Sequence, residues 1–147
     1  MDRDELLALT QQGYDCAQCV VKAFEDELGE DTGKVIRSVS CMSMGLLQGS
    51  VCGGVLAALA LIGWKYGSEK PDYASQGLCM IKREQFFMEF RRIYGDITCP
   101  GIIKLDVRKN EDNIKANATG VYTEICPRLF EDVIAILKRI LERSVEQ

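Results

Sequence analysis

The stretch CGGVLAALALIGWKY, residues 52–66, is the most apolar helical pattern in the chain and carries no charge before Lys65. A helix that is apolar on every side is buried, either in a protein core or in a membrane. A membrane span requires ~20 predominantly apolar residues, whereas glycines, serines and a glutamine interrupt the uncharged region around this stretch. We therefore predict that Val55–Trp64 is the buried central helix of a soluble protein without a membrane span.

Apolar residues on both sides of this stretch recur every three and four residues, as they do in amphipathic helices. The predicted helices are Arg3–Gln12, Asp15–Gly29, Thr32–Val39, Leu78–Tyr94 and a last helix that begins at Cys126. No segment alternates apolar and polar residues as a half-buried strand does. The predicted fold class is therefore all-α, with residues 1–147 forming one domain, a bundle of about five to six helices.

Two of the later helices have a predicted buried face, and a polar segment separates them. In Leu78–Tyr94 the candidates for burial are Ile81, Phe86, Phe90 and Ile93. In the last helix they are Leu129, Val133, Ile136, Leu137 and Ile140. The segment DVRKNEDNIKANATG, residues 106–120, is polar enough to be a surface excursion or a hinge.

The composition excludes several classes of function. With 22 acidic and 18 basic residues the net charge is −4, so no overall basic footprint favours nucleic acid. The absence of histidine excludes Ser-His and Cys-His nucleophiles and histidine-ligated zinc. The N-terminal stretch MDRDELLALTQQ lacks the apolar region of a secretory signal, so a cytoplasmic location is expected.

Seven cysteines are unusual in 147 residues, and in a reducing cytosol cysteines are more often metal ligands or redox groups than disulfides. Four of them fall at predicted helix starts: Cys16 follows the capping residue Asp15, Cys52 opens the central helix, and Cys99 and Cys126 precede prolines as N-caps. A helix N-terminus stabilises an anion and lowers the pKa of a thiol. Four converging thiolates would repel one another without a cation, so a metal or an iron–sulfur centre is predicted there.

The other candidate site residues are the glycines that follow Cys52. Gly53 and Gly54 have no side chain, so they would let the backbone approach the bound group. The three remaining cysteines lack the helix-start pattern, and Cys41 and Cys79 are predicted to be packing residues. The sequence leaves a choice for Cys19 between packing and a redox dithiol with Cys16, although no βαβ pattern surrounds this Cys-x-x-Cys.

Four stretches resemble a known family: YDCAQCVVKAFEDELG, GSVCGGVLAALALIGWKYG, EFRRIYGDITC and ICPRLFEDVIAIL. Together they are similar to the C-GCAxxG-C-C family of small bacterial redox-active proteins, which is related to the non-haem region of split-Soret cytochromes. The resemblance spans nearly the whole chain. It implies a redox role, a prosthetic group such as an iron–sulfur cluster, and four characteristic cysteines at Cys16, Cys52, Cys99 and Cys126.

The central motif of that family, Cys-Gly-Ala-x-x-Gly, begins here at Cys52. Gly54 stands where the motif has alanine, and Ala57 stands where it has its last glycine. Both residues remain small, so close approach of the backbone is retained.

Three functions are consistent with these cysteines. The leading hypothesis is a redox-active protein that binds an iron–sulfur cluster, preferably [2Fe–2S], through the four cysteines and acts in electron transfer or redox sensing. Four thiolates also suit zinc, which would make the protein a structural or interaction module. The enzyme alternative is a thiol–disulfide oxidoreductase that uses Cys16 with Cys19 or Cys52.

The partners expected for the leading hypothesis are proteins. A redox partner protein would supply or accept electrons, and a homodimer is expected because most soluble oligomers are symmetric and small redox modules commonly pair. No nucleic-acid partner is expected.

Overall fold

The computed structural model of the protein describes residues 1–142, which fold into helices joined by short connections. The α-helices are α1 (Arg3–Gln11), α2 (Cys16–Lys22), α3 (Glu25–Leu28), α4 (Thr32–Ser38), α5 (Gly53–Tyr66), α6 (Tyr73–Tyr94), α7 (Cys99–Ile103), α8 (Asn110–Ala118) and α9 (Cys126–Glu142). This described part contains no β-strand, and its isolated bridge pairs Val51 with Thr98. The all-α prediction is confirmed.

The helices outnumber the five to six expected, because the short helix α7 adds one and two local features add the others. The predicted helix Asp15–Gly29 is divided at Phe24, whose φ of −117° and ψ of 18° leave the helical region and separate α2 from α3. The polar segment 106–120 also contains a helix, α8. There the Asp112 carboxylate, in the first turn of α8, accepts the backbone N–H of Asp106 at 2.8 Å and ties the helix to the preceding loop.

The central helix α5 is buried where its apolar residues are small or branched. It packs against α2, α6 and α9, and its buried residues are Gly53, Gly54, Val55, Ala57, Ala58, Leu61 and Ile62. Trp64 departs from the prediction because 38% of its surface is exposed and its indole N–H donates to Asp31 at 3.2 Å. The burial predicted for the whole of Val55–Trp64 therefore ends at Ile62.

Helix α9 presents the buried face that its sequence predicts, but α6 does not. In α6 Phe86 and Phe90 are buried, whereas Ile81 and Ile93 are 53% and 55% exposed, so burial of the two isoleucines was wrongly predicted. Lys82 occupies the core side instead. Its ammonium group donates to the backbone oxygen of Ile140 at 3.1 Å, and its position over the ring of Tyr66 adds a cation–π contact.

The hydrophobic residues form two cores of unequal size. The main core joins α1, α2, α5, α6 and α9. The small core consists of Ile103, Ala116 and Val121, contributed by α7, α8 and a π-helical turn at Val121–Ile125. Within residues 1–142 no helix combines the length and the apolarity needed to cross a membrane.

Candidate cysteine site

A cavity of about 530 Å³ lies between the main core and the small core, and four cysteines line it. Cys16 comes from α2, Cys52 from the residue before α5, Cys99 from α7 and Cys126 from α9. These are the four cysteines that the helix-start pattern selects. The structure therefore brings the predicted ligand set together from four separate segments of the chain.

Cys16 is the first residue of α2, and a capping box fixes that helix start. Asp15 accepts the backbone N–H of Gln18 at 2.9 Å, while the Gln18 side chain accepts the backbone N–H of Asp15 at 3.1 Å. The Cys16 sulfur also accepts the backbone N–H of Met44 at 3.4 Å. The sulfur is thus held by its own helix and by the loop before α5.

Cys52 is the N-cap of α5 and is itself buried. Its backbone N–H donates to the carbonyl of Ile97 at 2.8 Å, which joins the start of α5 to the segment that leads into α7. The backbone N–H groups of Gly54 and Val55 lie close enough to its sulfur to act to lower the pKa of the thiol. Cys52 therefore has the helix-start environment that its sequence predicts.

The two glycines after Cys52 face different parts of the molecule. A Cβ on Gly53 would lie 2.5 Å from the Cys16 sulfur and 2.6 Å from the carbonyl oxygen of Met42, so a side chain would not fit. Gly54 does not line the cavity; a Cβ there would lie 3.3 and 3.4 Å from two side chains of α9. Gly53 thus allows the backbone of α5 to approach the Cys16 sulfur, whereas Gly54 allows α5 to pack closely on α9.

Cys99 is the first residue of α7 and not its N-cap. Thr98 is the N-cap, and its hydroxyl accepts the backbone N–H of Gly101 at 3.1 Å, so Pro100 follows at the second helical position. The backbone N–H of Cys99 donates to the carbonyl of Ser50 at 2.9 Å. This bond positions Cys99 beside the loop that carries Cys52.

Cys126 does not stand at an open helix start, which corrects the sequence prediction. The π-helical turn Val121–Ile125 runs directly into α9, and the backbone N–H of Cys126 donates to the carbonyl of Val121. Cys126 has helical φ and ψ values of −63° and −46°. Its proline therefore does not mark an N-cap, although the residue still lines the cavity.

Burial dominates the electrostatics of the four thiols, contrary to the lowered pKa values expected at helix starts. It raises the pKa of Cys16 to about 12, raises the pKa of Cys52 and of Cys99 to about 11, and raises the pKa of Cys126 as well. The charge of one thiolate further raises the pKa of the next, and Cys126 interacts with all three others. Without a cation the four thiols are protonated at neutral pH, so binding of a cation would release protons.

The remaining three cysteines do not line the cavity. Cys19 is fully buried in the main core, its thiol is 3.8 Å from the carbonyl oxygen of Tyr14, and burial raises its pKa to about 12. Cys41 is exposed and Cys79 is half-buried on α6. Cys19 thus lacks the exposed, low-pKa thiol that disulfide exchange with Cys16 would require.

Comparison with known proteins identifies a family whose pattern spans most of the chain. Residues 14–140 match a family described as "Putative redox-active protein (C_GCAxxG_C_C)". The chain belongs to the C_GCAxxG_C_C family. No curated protein and no solved structure matches it.

The arrangement in this C_GCAxxG_C_C member bears on what the cysteines can bind. Among residues 1–142, no group of three or more cysteine, aspartate or glutamate side chains is close enough to hold a single metal ion. The four cysteines line one cavity of about 530 Å³. They are the candidate ligands of a bound group, and cysteine thiolates are ligands both of zinc and of iron–sulfur clusters.

Two features of the site were missed by sequence reasoning. The first is the turn Met44–Leu47, in which all four residues have positive φ: 53°, 63°, 59° and 50°. A Cβ on Gly45 would lie 2.8 Å from the Cβ of Cys99, so the glycine allows this turn to pack on the cysteine. Left-handed backbone costs about 1–2 kcal/mol for each non-glycine residue. Only the glycine-rich composition of the loop signalled irregular backbone there.

The second missed feature is Tyr122, in the π-helical turn. Its hydroxyl donates to the side-chain oxygen of Asn113 at 2.8 Å. Burial raises its pKa, and charge on Cys126, Cys99 or Cys16 would raise it further. Tyr122 therefore lies among the cysteines as a neutral wall residue, and no motif in the sequence marks it.

Proposed function

We propose that this C_GCAxxG_C_C family member binds an iron–sulfur cluster, preferably [2Fe–2S], through Cys16, Cys52, Cys99 and Cys126, and acts in electron transfer or redox sensing. The observation that carries the proposal is the convergence of these four cysteines on one cavity from four segments of the chain. Membership of a redox-active family supports the general class of function.

The donor set suits iron and sulfide. Cysteine thiolates are the usual ligands of [2Fe–2S] and [4Fe–4S] clusters, and such a cluster supplies a reversible one-electron redox centre. The backbone N–H of Met44 donates to the sulfur of Cys16, and the backbone N–H groups of Gly54 and Val55 lie near the sulfur of Cys52. Hydrogen bonds to ligand sulfurs and exclusion of water are two means by which a protein sets a cluster's reduction potential.

Zinc is the principal alternative because four thiolates bind it equally well as ligands. A structural zinc site holds its sulfurs at about 2.3 Å from the metal. The proposal prefers the cluster because the chain belongs to a redox-active family, whereas zinc has no redox chemistry of its own.

The thiol–disulfide alternative finds less support. Disulfide exchange needs an accessible thiolate near neutral pH. Cys16 and Cys52 are neighbours, because a Cβ on Gly53, the residue after Cys52, would lie 2.5 Å from the Cys16 sulfur. Burial, however, raises the pKa of the Cys16 thiol to about 12 and that of the Cys52 thiol to about 11.

The proposal includes a cytoplasmic location, a redox partner protein and a homodimer. Seven free cysteines suit a reducing compartment. A dimer would bury the exposed apolar side chains of α6, which are Tyr73, Met80, Ile81 and Met88. Light scattering of the purified protein tests the dimer, and a monomer at micromolar concentration would contradict that part of the proposal.

The central experiment is an ultraviolet–visible spectrum of protein expressed with abundant iron and purified without oxygen. We expect sulfur-to-iron charge-transfer bands that bleach with dithionite, together with stoichiometric iron and acid-labile sulfide. Stoichiometric zinc without iron would favour the structural alternative. A colourless, metal-free protein with disulfide reductase activity would favour the enzyme alternative.

A further inference from the structure

The cavity is larger than a cluster alone requires. Its volume of about 530 Å³ lies within the range of about 300–1,000 Å³ that is typical of small-molecule pockets. The inorganic core of a [2Fe–2S] cluster consists of two iron and two sulfide atoms. Space therefore remains beside the cysteines for an organic molecule.

The walls of this remaining space are apolar. Leu7 of α1 and Ile102 of α7 contribute aliphatic side chains, and Val107 lies in the loop before α8. Two aromatic rings complete the wall, Tyr122 from the π-helical turn and Phe130 from α9. Such walls favour an apolar, ring-containing ligand because aromatic rings stack on one another and bury large apolar areas.

The polar groups that line the cavity are almost all uncharged. Asn113 and Asn117 lie one turn apart on α8, and Thr10 and Gln11 come from α1. The hydroxyl of Tyr122 uses the side-chain oxygen of Asn113, so the Asn113 amide keeps its N–H donors for another group. Amides and hydroxyls in this number can orient a ligand that carries a hydroxyl or carbonyl group.

The charge of the lining selects against anions. No lysine or arginine occurs among the described residues that line the cavity. Its charged member is Asp15, whose carboxylate accepts the backbone N–H of Gln18 at the start of α2. Four thiolates around a cluster would add negative charge, so phosphates, carboxylates and sulfonates would enter an unfavourable field.

We propose that this cavity binds a neutral aromatic molecule of one or two rings that carries a hydroxyl or carbonyl group, beside the four cysteines. The site places the rings against Tyr122 and Phe130 and the polar group toward Asn113 and Asn117. Binding follows from the shape and charge of the cavity. A role of the molecule as electron donor or acceptor rests in addition on the proposed function.

The test uses 2-naphthol as the neutral probe and naphthalene-2-sulfonate as the matched anion. Their binding to the full chain is measured by calorimetry at pH 7, without oxygen, in metal-free protein and in protein reconstituted with iron and sulfide. We expect saturable binding of one 2-naphthol per chain, and at least about tenfold weaker binding of the sulfonate because a buried charge lacks a partner.

Substitutions locate the probe. Val107→Trp should fill the cavity and weaken 2-naphthol binding at least about tenfold, since the indole takes the space of the ring. The matched control is Ile114→Trp, because Ile114 lies on α8 but is 60% exposed and does not line the cavity. If circular dichroism shows that Val107→Trp is unfolded, Thr10→Trp repeats the test from the α1 side.

Several results would overturn the proposal. These are absence of saturable 2-naphthol binding, sulfonate binding of equal strength, and unchanged binding in the cavity-filling variants. Loss of binding after reconstitution would also do so, because it would show that the probe occupies the place of the cluster. A failure to assemble a cluster leaves the metal-free measurement intact, so it refutes the proposed function without refuting the cavity ligand.

Discussion

The main core and the small core line opposite sides of the same cavity but differ in the number of buried residues that form them. Aromatic rings stack along α6 in the main core, with Phe90 at 5.7 Å from Phe86 and 4.8 Å from Tyr94 between ring centres. The small core contains three buried residues, Ile103, Ala116 and Val121. The difference indicates that one side of the cysteine site is fixed by global folding, whereas the other depends on a few local contacts.

The cysteines divide between the two sides. Cys16 and Cys52 pack with the main core, Cys99 packs with the small core, and Cys126 contacts both. An adjustable side would allow the cavity to close on a bound group. It would also make the position of Cys99 sensitive to changes that leave the main core intact.

The largest effect is expected from Phe90→Ala in the main core. Phe90 is fully buried, so the substitution should lower the free energy of unfolding by about 3–5 kcal/mol through lost burial and a cavity. Urea denaturation followed by circular dichroism measures this loss. A loss below about 1 kcal/mol, typical of a surface position, would contradict the assignment of Phe90 to the main core.

A smaller effect is expected from Gly53→Ala, at the point where α5 meets the cysteines. The added methyl would lie 2.5 Å from the Cys16 sulfur and 2.6 Å from a backbone oxygen, so something must shift, at a cost of about 1–3 kcal/mol. Iron content after reconstitution should fall as well.

Gly54→Ala is the matched control for this substitution. Its methyl would meet only side chains, at 3.3 Å or more, and the effect on unfolding should stay below about 1 kcal/mol. Equal iron loss in the two variants would contradict the assignment of Gly53 to the site and of Gly54 to packing.

Val121→Ala tests the small core directly. Val121 is 3% exposed, and the loss of two methyl groups should cost about 1–2 kcal/mol in unfolding free energy. The iron bound per chain after reconstitution should fall even though the chain remains folded, because the small core positions Cys99. Full iron retention in this variant would show that the small core is not needed to hold the site.

The smallest effect concerns the thiol of Cys19 in metal-free protein. Burial raises its pKa from 9.0 in the unfolded reference to about 12, so the folded state keeps a proton that the unfolded state loses above pH 9. Stability from this thiol is therefore present below pH 9 and falls as the pH rises toward 12.

Between pH 8 and pH 10 the free energy of unfolding should therefore fall by about 1 kcal/mol less in Cys19→Ala than in the unsubstituted protein. Cys41→Ala is the control, because the exposed Cys41 side chain meets water in both states. Denaturation at the two pH values measures the difference. The same pH dependence in both variants would contradict the buried environment of the Cys19 thiol.

The sequence predicts the elements whose signal is local and leaves out those that tertiary contacts decide. Regular spacing correctly predicts the buried face of α9, and lack of charge correctly predicts a buried α5. The same spacing wrongly predicts the buried face of α6, where Lys82 occupies a core position that the pattern assigns to isoleucine. Its aliphatic stem can be buried because its ammonium group donates to the backbone oxygen of Ile140.

The four predicted cysteines line one cavity, but the reasons that selected them from the sequence are only partly right. Capping signals correctly place Cys16 and Cys52 at helix starts. A π-helical turn before Cys126 leaves no trace in the sequence, since it depends on how Val121 and Tyr122 pack. Burial, which a single sequence shows poorly, then outweighs the helix starts in setting the pKa values of the thiols.

The most direct test of the cluster assignment is a panel of single cysteine-to-alanine variants, each reconstituted without oxygen and assayed for iron and sulfide per chain. Replacement of Cys16, Cys52, Cys99 or Cys126 should abolish or severely reduce both, because a ligand position is left open. Cys41→Ala and Cys79→Ala should retain both. Loss of iron in Cys41→Ala or Cys79→Ala, with retention in Cys99→Ala or Cys126→Ala, would contradict the account.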